Sequence, residues 1–175
     1  DDLLAGLDLG DLDAIPAEIA ERAKILWLNY PNNPTGATAP LEFLTKAVEF
    51  GRKYKTVVAH DAPYVDVCFE GYEAPSIMQV PGAKDVAIEF NSLSKAYNMA
   101  GWRLGMAVGN PRVISFLHTF KSQVDTSTFA PIIEAGITAL TGDQSWLMER
   151  NLIYQRRRDI VVEGLRAARF SVQTP

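Results

Sequence analysis

Four short apolar runs, spaced by stretches of helical periodicity, constrain most strongly what this chain can fold into. Ile25-Leu26-Trp27-Leu28-Asn29-Tyr30 has the pattern of a buried strand stopped by Pro31. Thr56-Val57-Val58-Ala59-His60-Asp61 is a second, β-branched at its start, and Val86-Ala87-Ile88-Glu89-Phe90-Asn91 is a third. Leu104 to Val108 makes a fourth, ended by Gly109-Asn110-Pro111. Between the first two, Leu41 to Tyr54 places Leu44, Ala47 and Val48 at helical spacing. Strands alternating with helices predict an α/β fold, a mainly parallel sheet with flanking helices. Residues 63–85, with Pro75, Pro81, Gly71 and Gly82, read as an irregular connection. After the fourth strand the spacing predicts helices over 113–124, 131–140 and 144–168, and Phe170-Ser171-Val172 opens a further strand.

Composition narrows the class. At 175 residues the chain is one domain or a large part of one, and 47% hydrophobic content with 22% charge excludes disordered and low-complexity classes. Both ends read as cut: no first strand of a sheet opens the chain, and Pro175 follows a long helix. No apolar stretch approaches the roughly 18 residues of a membrane span, and Asp1-Asp2-Leu3-Leu4 lacks the basic flank of a secretory signal. A net charge of −4 gives no electrostatic reason to expect nucleic acid, and the basic run Arg156-Arg157-Arg158 reads as one solvated helix face. Cys68 is the single cysteine, so no internal disulfide forms, which fits a reducing cytoplasm. With it, the two histidines His60 and His118 are too few for a zinc-type cluster.

In open α/β sheets ligands bind beyond the carboxyl ends of the strands. Past the first strand comes Pro31-Asn32-Asn33-Pro34-Thr35-Gly36; the second ends on Asp61-Ala62-Pro63-Tyr64; the third runs into Ser92-Leu93-Ser94-Lys95, and Arg103 leads into the fourth. An amide, a carboxylate, a phenol, two hydroxyls and a primary amine thus converge on one end of the sheet. Taken singly, each has an ordinary structural role: Asn33 as a turn former, Asp61 as a cap, Tyr64 as a packing residue, Ser92 and Ser94 as loop caps, Lys95 and Arg103 as surface charges.

Taken together, the motifs carry a resemblance. Ser92-Leu93-Ser94-Lys95-Ala96-Tyr97-Asn98-Met99-Ala100-Gly101-Trp102-Arg103-Leu104-Gly105 resembles the pyridoxal phosphate lysine motif of class I/II aminotransferases, which are fold-type I enzymes. Asn32-Asn33-Pro34-Thr35-Gly36 and Asp61-Ala62-Pro63-Tyr64 resemble the family's other two cofactor motifs, in the family's order. The 97–103 segment and Gly71-Tyr72-Glu73-Ala74-Pro75-Ser76 are most similar to the subgroup that acts on LL-diaminopimelate.

The resemblance implies an enzyme that uses pyridoxal 5'-phosphate to move an amino group between an amino acid and a 2-oxo acid. It implies Lys95 as the residue that attaches the cofactor's aldehyde and then serves as general acid and base. Asp61 would face the pyridine nitrogen, Asn33 and Tyr64 the ring oxygen, and Ser92, Ser94 and Arg103 the phosphate, where a guanidinium fork matches the oxygens. It also implies a cis Asn33–Pro34 bond and a cytoplasmic homodimer. The family's glycine-rich loop and ring-stacking aromatic, and its small domain with the carboxylate-binding arginine, are not found here. Residues 1–169 are therefore expected to be the central part of the large domain, 170–175 the start of a small one, and the piece alone inactive. A carbon–sulfur lyase on the same fold and a regulator domain that binds the cofactor without turnover remain as alternatives.

Overall fold

A computed structural model describes residues 10–175; the readings above that concern residues 1–9, the N-terminal flank and the start of the 1–169 division, lie outside them. Strands β1 (Ile25–Asn29), β2 (Val57–Asp61), β3 (Ala87–Ser92) and β4 (Gly105–Gly109) form one sheet in that order. The first three run parallel, and β4 returns antiparallel to β3. Helix α1 (Ala17–Arg22) precedes β1, α2 (Leu41–Tyr54) joins β1 to β2, and the one-turn α3 (Leu93–Ala96) follows β3. After β4 come α4 (Pro111–Val124), α5 (Ala130–Thr141) and α6 (Ser145–Ala167). The α/β class holds, with α1 and α3 as elements that the sequence pattern did not announce.

Side chains alternate across a strand, so the register sorts them onto two faces. Leu28, His60 and Glu89 share one face; Asn29, Asp61 and Phe90 share the other. Helix α2 covers the first, burying Phe43, Leu44, Ala47 and Val48 against Leu28, Val58 and Ala87, while Ile77 and Val80 extend the same core. The helix comes so close that a Cβ on Gly51 would sit 2.8 Å from Val58 Cγ2 and 2.9 Å from the Thr56 carbonyl oxygen, so only glycine fits there. On the second face Trp27 stacks on Phe90 at 5.8 Å and stays 60% exposed.

Boundaries move where backbone groups find other partners. Tyr30 leaves β1 because its carbonyl accepts from His60 Nε2 at 3.0 Å. Thr56 stays outside β2, its N–H bonded to the Gly51 carbonyl at 2.9 Å and its hydroxyl donating to the Ala23 carbonyl at 3.1 Å. Helix α4 starts two residues earlier than the spacing suggests, at Pro111, with the Asn110 side chain accepting from the N–H groups of Arg112 and Val113. The strand expected at 170–172 does not form. The Phe170 N–H returns to the Leu165 carbonyl at 3.0 Å, and the Val172 carbonyl accepts from Arg166, so this backbone is committed to the end of α6.

The basic run is also corrected. Arg156 and Arg157 are exposed, but Arg158 turns inward, 2.6 Å from Glu70 Oε1 with its side chain only 10% accessible. A helix puts consecutive residues about 100° apart, so three neighbours cannot share one face. Among the described residues, no helix is long and apolar enough to cross a membrane, and no group of three His, Cys, Asp or Glu side chains is placed to hold a metal.

Candidate active site

The parallel strands β1, β2 and β3 end side by side, and the predicted residues lie just beyond them. At the end of β1, the Asn29 amide donates to Asp61 Oδ2 at 3.2 Å and to the Asp61 carbonyl at 3.0 Å. Asn29 Oδ1 accepts from the backbone N–H of Asn33 at 3.1 Å and from the Asn32 amide at 3.1 Å. Asn32 Oδ1 in turn accepts from the Thr35 hydroxyl at 2.8 Å, closing the turn. Asn33–Pro34 is cis, as the motif implied, and Tyr30–Pro31 is cis as well.

This turn presents Asn33 to the second strand end. Its Nδ2 donates to Tyr64 Oη at 3.1 Å, leaving the phenol proton free for another acceptor. Lys95 Nζ lies 5.9 Å from the centre of the Tyr64 ring, at the edge of cation–π range. Asp61, Asn29, Asn33, Tyr64 and Lys95 therefore form one contact path across three strand ends. Asp61 is half-buried: burial pushes its carboxyl up, and the positive charge of His60 pulls against that.

Lys95 sits on α3, with Ser92 as its N-cap; the Ser92 hydroxyl accepts from the Ser94 N–H at 3.2 Å. The Leu93 N–H donates to the Leu104 carbonyl at 3.2 Å and Ser92 pairs with Gly105, which brings Arg103 back beside Ser92 and Ser94. Its guanidinium donates to the Ala100 carbonyl at 2.8 Å, and among the described residues no hydrogen bond links it to either serine. Lys95 and Arg103 are both exposed.

Helix α6 straps this lysine-bearing turn to the body. Arg150, 6% exposed, donates to the carbonyls of Lys95, Ala96 and Asp66, the last at 2.6 Å. Tyr154 Oη donates to Asn98 Oδ1 at 2.9 Å, and Tyr97 Oη to Gln144 Oε1 at 2.8 Å. A cleft of about 950 Å³ lies between the 62–76 connection and α6, lined by Ala62, Ser92, Tyr97 and Asn151 among others. A second, of about 380 Å³, is lined by Asn33, Tyr64, Phe69 and Arg158. Cys68 borders both, and burial pushes its thiol up, so it is a poor nucleophile.

Behind the site, on the α2 side of the sheet, His60 and Glu89 are 1% and 4% exposed. His60 Nε2 lies 3.0 Å from the Tyr30 carbonyl oxygen, which can only accept, so Nε2 carries a proton. Nδ1 lies 3.2 Å from Glu89 Oε2, which also accepts from the Ser76 hydroxyl at 2.8 Å and the Ile77 N–H at 2.9 Å. Burial works to raise the Glu89 carboxyl, but these hydrogen bonds outweigh it and hold it below its ordinary value. From sequence, Asn29, His60 and Glu89 do not stand out as site residues; the available signal is an ionisable residue at a buried position of an apolar strand, twice, in strands that pair.

A family model described as aminotransferase class I and II matches residues 6–175. The chain belongs to that family. Among curated proteins, the LL-diaminopimelate aminotransferase of Moorella thermoacetica is 52% identical over 167 residues, 95% of this chain and 43% of its own length. Among solved structures, a probable N-succinyldiaminopimelate aminotransferase from Thermus thermophilus superposes with a TM-score of 0.85 at 40% identity, covering 91% of this chain and 43% of that one. Substrate-bound BacF from Bacillus subtilis gives a TM-score of 0.89 at 32% identity, with 95% and 42% covered. The fold is that of the fold-type I aminotransferases, whose class I and II members use pyridoxal phosphate. The chain spans about 43% of the length of the curated aminotransferases it matches.

Proposed function

We propose that this chain is the cofactor-holding core of a pyridoxal phosphate-dependent aminotransferase that moves an amino group from LL-diaminopimelate to a 2-oxo acid. The observation that carries the reading is the contact path from Asp61 through Asn29, Asn33 and Tyr64 to Lys95. These residues fit the group. A half-buried carboxylate suits a protonated ring nitrogen. The Asn33 amide and the free phenol proton of Tyr64 suit an anionic ring oxygen, and an exposed primary amine beside them suits an aldehyde. Two hydroxyls and the Arg103 guanidinium suit a phosphate.

When bound, pyridoxal phosphate supplies the electron sink for the electron pair released at the substrate's α-carbon. Asp61 would hold a proton at the ring nitrogen. Asn33 and Tyr64 would donate to the ring oxygen and orient the ring, while Ser92, Ser94 and Arg103 would anchor the phosphate. Lys95 Nζ would hold the cofactor's aldehyde and move a proton at the substrate's α-carbon. LL-diaminopimelate is the proposed donor because a relative of that name shares 52% identity. The lyase and regulator alternatives fall behind, since the relatives and solved neighbours above named for an activity are aminotransferases.

Residues 1–169 are proposed as the central part of the large domain and 170–175 as the start of a small domain, in a longer parent chain. A cytoplasmic homodimer is the assembly this reading carries, supported by the single cysteine and by broad exposed apolar surface on α4 and α5. The test is borohydride reduction of the cofactor-loaded parent protein, followed by mapping of the labelled peptide and a panel of amino acids with 2-oxoglutarate. The label is expected on Lys95, with LL-diaminopimelate as the best donor. A label on Lys84 or Lys121 overturns the assignment.

A further inference from the structure

We propose that His60 and Glu89 are positioning residues for the ring-binding groups: a buried histidine–carboxylate pair that ties the three strand ends together from the opposite face of the sheet and stands directly behind Asp61. The inference rests on the cofactor reading above and deepens it, because it says what holds Asp61 in place and in charge.

Each contact of the pair lands on a segment that carries a site residue. His60 Nε2 donates to the carbonyl of Tyr30, the residue between Asn29 and the turn that presents Asn33. His60 itself precedes Asp61, and Glu89 is its register partner on β3, the strand that delivers Ser92. Glu89 Oε1 accepts from the Asn91 amide at 3.3 Å, and the same amide donates to the carbonyl of Ala62, next after Asp61, at 3.2 Å. Glu89 Oε2 also gathers Ser76 and Ile77, closing the 63–76 connection over the pair. A core residue needs none of this; leucines at both positions would fill the space without desolvating two charges.

The charge has a second effect. Asp61 and His60 point to opposite faces of one strand, and the positive ring acts across the backbone against the desolvation that pushes the Asp61 carboxyl up. Without it, Asp61 is a weaker partner for a cationic heteroaromatic ring, even with every other contact in place.

The test is a double-substitution cycle on the affinity of the full-length apo protein for pyridoxal phosphate, read by absorbance titration and needing no turnover. His60→Gln is expected to weaken binding about tenfold in the native background and by less than about twofold once Asp61→Asn is present, the coupling of groups that act through one another. Glu89→Gln removes the carboxylate that faces the imidazole at 3.2 Å, so it should repeat the pattern; it decides the matter if His60→Gln does not fold. An equal loss in both backgrounds overturns the inference, since a merely structural pair would weaken both alike. So does unchanged affinity in folded variants. A native full-length protein that takes up no pyridoxal phosphate overturns the cofactor reading itself, and the inference with it, whereas native binding with additive variants overturns the inference alone.

Discussion

Burial at the end of β2 pushes the Asp61 carboxyl up while His60 pulls it back, and in the function proposed above a protonated ring nitrogen would be its partner. Asp61→Asn keeps the shape and removes the countercharge. If the loss is about 3–5 kcal/mol, the scale for breaking a buried pair, the carbanion-forming step slows by about two to four powers of ten. Asp61→Glu should lose less. Single-turnover kinetics of the loaded full-length protein check this, and near-normal rates for the Asn variant would remove Asp61 from the ring. Glu89 gives a prediction in acid. Its folded-state carboxyl lies below the ordinary value of 4.5, so its contribution to stability is complete above that value and disappears as pH falls through the lower one. Asp61, raised in the folded state, works in the opposite sense: its contribution is present in acid and lost as pH rises. Urea midpoints between about pH 5 and pH 3 should therefore fall less steeply for Glu89→Gln than for the native protein, and more steeply for Asp61→Asn; identical slopes in all three would contradict the assignment. At this scale the convergence of the candidate site residues was largely legible, because Asn33, Asp61, Tyr64 and Lys95 sit in contiguous motifs. His60 and Glu89 were not, since they are 29 residues apart and meaningful only once β2 and β3 are paired.

Helix α6 lines both clefts and also holds the lysine-bearing turn in place. Its Arg150 reaches into the body and bonds the carbonyls at the end of α3, so the lysine-bearing turn is clamped through its backbone. Arg150→Met removes the donor of the buried Ala96 carbonyl and the part-buried Lys95 carbonyl, while the Asp66 carbonyl keeps Asn151; at about 1–3 kcal/mol for an unpaired buried acceptor, a net loss of about 1–3 kcal/mol is expected. Arg150→Lys should recover only part, because a point charge cannot fork between them. Hydrogen exchange over residues 93–99 reports it: exchange unchanged in the Met variant would show that α6 is no clamp. Most elements could be placed from periodicity alone, as with α2, whose Leu44, Ala47 and Val48 mark the buried face. The ends were harder, because they depend on which distant group takes a backbone hydrogen bond, as Thr56 and Tyr30 illustrate. The failed strand at 170–172 has the same cause: apolar residues there follow a helix that keeps hold of their backbone.

Across the whole molecule, apolar surface is unevenly covered. Phe116, Phe120, Val124 and Phe129 on and beside α4 are 61–71% exposed, and Trp27 at the edge of the sheet is 60% exposed. The 175-residue chain on its own is therefore expected to bind an environment-sensitive apolar dye and to self-associate, checked by light scattering. A monodisperse, dye-silent monomer would mean that these faces pack more closely than described. The antiparallel return of β4 has a different consequence. Because Ser92 pairs with Gly105 and Leu93 bonds Leu104, residues 93–104 are a loop tied off at its neck, and Lys95 and Arg103 both ride on it. Extra residues inserted elsewhere in the chain would leave the spacing of amine and guanidinium untouched, whereas one inserted within the loop could be absorbed only between them and the knot. The loop with its two flanking strand ends is thus the smallest portable piece of the site, the unit to transplant if this lysine and arginine are to be moved to another sheet.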